Sequence, residues 1–136
     1  MNEYDVQANE FLKKNNIRFS VLETYTDICN WDNHNHYMHK VRFYNRSTKK
    51  SMTLTFTTSL NDFQNGDNSC RAYDVLACLQ KYDVGSIDDF VSEFGYTFNT
   101  WEDVKKTEKT YKAVVREYKG VQRVFADCLD ELRDIA

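Results

Sequence analysis

The chain has 136 residues, a net charge of −3 and a pI near 5.6, so it exerts no global electrostatic pull on nucleic acid or an anionic membrane. A hydrophobic fraction of 41%, with 15% aromatic residues, is enough to fill the core of one domain over 1–136. Zero prolines and four glycines exclude proline- or glycine-rich linkers, and no apolar run approaches the roughly 20 residues of a membrane span.

The N-terminal MNEYDVQANEFLKK lacks a signal-peptide core, and the chain reads as cytoplasmic. Cys29, Cys70, Cys78 and Cys128 are scattered without a C-x-x-C pair, as expected of free thiols in a reducing compartment. Cys78, in the run VLACL, fits a small buried hydrophobe.

In chain order, residues 4–14 place Val6, Phe11 and Leu12 on one helical face, and Asn15-Asn16 breaks the helix. Ile17, Phe19 and Val21 alternate with Arg18 and Ser20, predicting a half-buried strand to residue 25. The polar stretch TDICNWDNHN follows neither period. A second strand then reads YMHKVRFYNR, with Tyr37, His39, Val41 and Phe43 on one face and Met38, Lys40, Arg42 and Tyr44 on the other. After turn-formers from Asn45 to Lys49, SMTLTFTT resumes alternation with Met52, Leu54 and Phe56 inward. These runs predict a three-stranded antiparallel meander with one wet face.

Residues 61–70 read as a loop. Ala72, Val75, Leu76 and Leu79 then predict a helix over 70–82, ended by Asp83-Val84-Gly85 with Gly85 in a left-handed conformation. Ser86 and Asp89 cap a helix carrying Ile87, Phe90, Val91 and Phe94, which Gly95 ends with Tyr96 folding back on Val91. Thr100 and Asp103 cap a long helix. Its stripe is Trp101, Val104, Tyr111, Val114, Val115, Tyr118, Val121 and Phe125, with Gly120 as a candidate kink. Asp127 opens a last short helix with Leu129, Leu132 and Ile135 inside. The expected fold class is α+β: an N-terminal helix and a three-stranded antiparallel β-meander, packed against a C-terminal helical half of about four helices.

The blocks AYDVLACLQKYD, DFVSEFGY and YKAVVREY, with the Gly85 turn between the first two, carry a resemblance. On them the chain resembles a family of small uncharacterised proteins encoded by bacteriophages and prophages. The likeness covers about half the chain and leaves out the strand region. It implies a phage accessory protein acting in the bacterial host cytoplasm, a class that includes inhibitors of bacterial immunity of the anti-CRISPR type. It carries over no functional residue.

Three constellations bear on chemistry. The stretch CNWDNHNHYMH collects Cys29, Asp32, His34, His36 and His39. Strand parity puts His34 and His36 outside and His39 inside, so the three imidazoles diverge, and the expectation is no metal and no cofactor. Second, no Asp or Glu occurs over 33–61, where Lys40, Arg42, Arg46, Lys49 and Lys50 lie, whereas 83–136 holds 12 acidic and 8 basic residues. With Met38 and Tyr44 interleaved, Met38, Lys40, Arg42, Tyr44, Arg46, Lys49 and Lys50 form the candidate binding surface. Such a surface suits a phosphate backbone, an acidic face of a host protein or ribonucleoprotein defence complex, or the acidic half of a second copy in a homodimer. Third, no nucleophile elbow, glycine-rich phosphate loop or H-E-x-x-H occurs, and Asp88-Asp89 are accounted for by the helix dipole. The favoured reading is a non-catalytic phage protein that inhibits a defence complex by protein–protein interaction. The alternative is a small nucleic-acid-binding module using the hairpin over 38–50.

Overall fold

The computed structural model describes residues 2–29, 32–94 and 104–135. The first helix, α1 (Glu3–Lys14), starts at Asn2, whose Oδ1 accepts from the Asp5 amide at 2.9 Å. It ends before Asn16, which takes a left-handed φ of 58°. The buried face is Asp5, Ala8, Phe11 and Leu12, while Val6, expected inside, is 42% exposed. Asp5 turns inward because its carboxylate accepts from the Tyr73 amide at 3.3 Å, in the first turn of the helix Ala72–Leu79. That helix has Arg71 at its N-cap, so a residue of α1 supplies the acceptor.

The predicted meander is present: β1 (Ile17–Ile28), β2 (Asn35–Asn45) and β3 (Lys50–Thr57) are antiparallel in the order β1-β2-β3. β1 runs three residues past its predicted end. The cause is a bulge: Val21 pairs with Val41 and Glu23 with Lys40, leaving Leu22 as the extra residue. Parity flips there, so Thr24 and Thr26 join the inner face and Tyr25 and Asp27 the outer one. An alternation count stops at such a point although the strand does not.

Ile17, Val41, Phe43, Met52 and Leu54 bury the inner face together with the end of α5 (Val104–Val124) and the residues after it. Phe43 meets Phe125 edge-on at 5.4 Å between ring centroids. Gly120, a candidate kink in the sequence, lies inside a continuous helix. A Cβ added there would sit 3.2 Å from Met52 Cβ and Cε, so glycine serves the close approach of α5 to β3. Asn45 ties the seam: its Nδ2 donates to the Val124 carbonyl at 2.9 Å, and its Oδ1 accepts from the Ser47 and Thr48 amides in the β2–β3 turn.

The region expected as a loop after β3 contains α2 (Leu60–Gln64). Ser59 Oγ caps it by accepting from the Asp62 amide at 3.1 Å. Gly66, at φ 69°, ends it with the bonds Asp67 N to Asp62 O and Gly66 N to Phe63 O of a Schellman motif. The predicted helix over 70–82 is α3 (Ala72–Leu79) followed by a 3₁₀ turn, Gln80–Tyr82. Gly85 is not left-handed; Asp83, at φ −82° and ψ 67°, reverses the chain instead. Ser86 caps α4 (Ile87–Phe94) through the Asp89 amide, as its sequence predicts.

Phe90 stacks on Tyr82 at 5.0 Å and lies 5.4 Å from Tyr118. From α5, the Tyr118 hydroxyl donates to the Val84 carbonyl and Gln122 Nε2 to the Tyr82 carbonyl, clamping the α3–α4 connection. The expected last helix is a 3₁₀ segment, Leu129–Ile135, with Leu129 and Leu132 buried. The expected Gly95 stop, Tyr96 fold-back, Thr100–Asp103 cap and Trp101 lie outside the described residues.

His39 sits in the core at 0% exposure, its Nδ1 2.8 Å from Thr24 Oγ1 and its ring 5.5 Å from Phe56. Nε2 has no well-formed hydrogen bond. Burial pushes the pKa of His39 down, and the Asp74 carboxylate and the Ser69 backbone offset this only in part.

Two stability measurements check this core. Replacing Asn45 with Ala should cost about 1–3 kcal/mol in urea unfolding, because it strands the buried Val124 carbonyl. Asn45→Asp should cost more, since it sets an acceptor against an acceptor. For His39, the unfolded chain takes up a proton near the ordinary value of 6.5 while the fold holds the ring neutral. Stability is therefore full above 6.5 and is lost as pH falls below it. A His39→Leu variant should have a flatter stability–pH curve below that pH than the parent, and parallel curves would refute the assignment.

Candidate functional site

The outer sheet face is a grid set by strand register. Its rows run Arg18–Tyr44–Ser51, Ser20–Arg42–Thr53, Glu23–Lys40–Thr55 and Tyr25–Met38–Thr57 across β1, β2 and β3, with Asp27 beside His36 at the far end. Arg18, Ser20, Lys40, Arg42, Thr53 and Thr55 are exposed, so this face is open.

Its charge is not uniform. Lys40, counted in the sequence as part of a continuous basic stretch, faces Glu23 across the β1–β2 ladder. Met38 points to the outer face as expected but is only 8% exposed, held between Tyr25 and Thr57 with the Thr57 hydroxyl 3.1 Å from its sulfur. It belongs to the packing of the sheet and offers little contact surface.

The cationic character gathers at the other end. Arg18, which the hairpin count omits, stands directly beside Tyr44. The Arg42 guanidinium lies over the Tyr44 ring, 5.7 Å from its centroid, in a cation–π arrangement. Arg46, Lys49 and Lys50 are exposed in and beside the β2–β3 turn, with Lys49 at φ 60°. The turn is fixed to the α1–β1 junction: the Arg46 amide donates to the Asn16 carbonyl at 2.8 Å, and Asn16 Nδ2 donates to Ser47 Oγ at 3.0 Å. Beside that junction an open groove of about 590 Å³ is rimmed by Lys13, Arg18 and Arg46 over a floor that includes Leu12, Ile17 and Phe19. Alternation along β1 places Arg18 on the wet face of its strand. Only the register, bringing it next to Tyr44, makes it part of a site.

The histidines are not brought together. His34 is exposed, His39 is in the core, and His36 is 5% exposed at the end of the outer face. His36 Nδ1 lies 2.7 Å from the Thr58 carbonyl oxygen, which can only accept, so Nδ1 carries a proton. Its Nε2 lies 2.6 Å from Asp32 Oδ2, while Asp32 Oδ1 accepts from the His34 amide at 3.0 Å. The Thr58 carbonyl and, after it, the Asp32 carboxylate push the His36 pKa up against burial. The His34 amide chiefly holds Asp32 below its usual value. The groups that do converge are Cys29 Sγ, an Asp32 oxygen and a His36 nitrogen, all within 4.8 Å of one another.

All four cysteines are free thiols. Burial pushes Cys70 up to about 11 and Cys78 and Cys128 up to about 12, which makes them inert as nucleophiles at neutral pH. No helix among the described residues is long and apolar enough to cross a membrane. Compared with family models, curated proteins and solved structures, the chain matches none.

Proposed function

We propose that this chain is a non-catalytic binding module that holds a nucleic-acid backbone on the basic end of its open sheet face. The observation that carries the reading is the Arg18–Tyr44–Arg42 cluster, continuous with Arg46 and the Lys13-rimmed groove. Guanidinium groups supply bidentate contacts to phosphate, and the half-buried Tyr44 ring beneath Arg42 holds one of them in place. Lys49 and Lys50 extend the cationic edge, and the hydroxyls of Ser51 and Thr53 in the same rows add neutral donors. The raised thiols support a role without covalent chemistry.

The phage accessory role implied by the resemblance is compatible with this surface. A ribonucleoprotein defence complex presents phosphates, and a protein seated on them inhibits by occupation rather than by cutting. Lys40, which has Glu23 as its neighbour across the ladder, is assigned the smaller share of such binding.

The test is fluorescence anisotropy with labelled single-stranded RNA, single-stranded DNA and duplex DNA over a salt series. Affinity should fall linearly with the logarithm of salt, by a slope of about 0.7 per phosphate contact on single strands. An Arg18→Glu/Arg42→Glu pair should abolish binding, and Lys40→Glu should weaken it less than Arg42→Glu. Absence of binding at low salt, or a double variant with unchanged affinity, would remove the reading.

A further inference from the structure

The cluster at the far end of the same face has donor chemistry of a different kind. Cys29, Asp32 and His36 offer sulfur, oxygen and nitrogen from one hairpin connection, with their ligand atoms within 4.8 Å. We infer that these three residues form a zinc site that fastens the β1–β2 connection to the end of β3. The inference does not rest on the nucleic-acid reading.

The argument begins with His36. A ligating imidazole usually donates its remote N–H to a backbone carbonyl or carboxylate, which fixes the tautomer and aims the other nitrogen at the metal. His36 has that arrangement already: Nδ1 is committed to the Thr58 carbonyl at 2.7 Å, and Nε2 faces Asp32. The ring is 5% exposed, so its orientation is set by packing. Asp32 is oriented as well, one oxygen held by the His34 amide at 3.0 Å and the other turned to His36. Cys29 is positioned by the connection itself, where the Cys29 amide donates to the His34 carbonyl at 2.9 Å and the Asn33 amide to the Cys29 carbonyl at 2.8 Å. Asn33 takes a left-handed φ of 60° to close that ring of bonds.

Distance decides whether an ion fits. Zinc bonds of about 2.0–2.3 Å in a tetrahedron put ligand atoms roughly 3.3–3.7 Å apart. The widest separation in the cluster, at most 4.8 Å, must close by about 1 Å, and the 2.6 Å contact between His36 and Asp32 must open by somewhat less. Both are side-chain adjustments. A mixed thiolate, imidazole and carboxylate set favours zinc over hard cations such as magnesium or calcium. Three protein ligands leave the fourth position to water. His34, exposed and engaged through its backbone, and His39, bonded to Thr24 in the core, are outside the set.

Zinc added to the metal-free full chain, in competition with a chromophoric chelator, should bind one to one. Cobalt(II) in its place should give tetrahedral d–d bands and a thiolate charge-transfer band. Cys29→Ser should remove the charge-transfer band, and His36→Asn should weaken zinc by at least about tenfold. His34→Ala should bind like the parent, and His36→Cys, which restores a ligand, should recover affinity that His36→Asn loses. Circular dichroism of each variant separates lost ligation from lost fold, and His36→Cys keeps the test decisive if His36→Asn unfolds. Equal zinc affinity in the parent and in Cys29→Ser with His36→Asn would show adventitious binding only and overturn the site, as would no binding at micromolar zinc.

Discussion

The seam between β2 and the end of α5 is the contact on which the rest of the molecule depends. Phe43 meets Phe125 there, Asn45 binds the Val124 carbonyl, and Gly120 lets the helix backbone approach Met52. A three-stranded sheet has two faces, and docking α5 on the inner one decides which side chains meet water. The interior on that side is mainly apolar, with the His39 ring as a buried polar exception, and most polar alternates of β2 and β3 are left outside. The same seam fixes the β2–β3 turn through Asn45 Oδ1, and with it the position of Arg46 against α1. The basic end of the sheet is therefore held by the core, although none of its charged residues belongs to the core.

The alternating runs of β2 and β3 are legible because each has one buried face and no interruption. The cap at Ser86 is legible because capping is local. What escapes is whatever depends on a distant partner. Asp5 looks like a solvated residue of a first turn until α3 is placed against it. The β1 bulge is invisible because a single extra residue, Leu22, breaks the parity without altering composition. α2 is a different case: its signals were present, with Ser59 and Asp62 at one end and Gly66 at the other, but five residues are too few for an amphipathic stripe.

The candidate surface was legible as a composition and not as a shape. The run without acidic residues identified the hairpin, yet charge along a strand says nothing about its lateral neighbour. Register supplied that neighbour twice, and with opposite consequences. It set Glu23 against Lys40 and so reduced the centre of the face, and it set Arg18 against Tyr44 and so built up one end. The cysteine–aspartate–histidine cluster required more still. Strand parity correctly separates His36 from His39, but the convergence of Cys29 and Asp32 on His36 is a property of the reversal between β1 and β2, where neither period applies.

The distribution of charge argues for one direction of approach to the basic end. The chain as a whole is acidic, and residues 83–136 hold 12 acidic against 8 basic residues. An anionic polymer is repelled weakly at long range and attracted only where local cations outweigh the net charge. At physiological ionic strength the Debye length is about 8 Å, so a phosphate near Arg18, Arg42 and Arg46 experiences chiefly those groups. Glu23 and Asp27, further along the same face, oppose the extension of a bound strand toward the far end. Under the proposed function, a backbone laid on this sheet would be confined to the rows nearest the β2–β3 turn and the groove beside α1. Non-specific adhesion along the whole surface is disfavoured by the same residues that leave the protein with its modest negative charge.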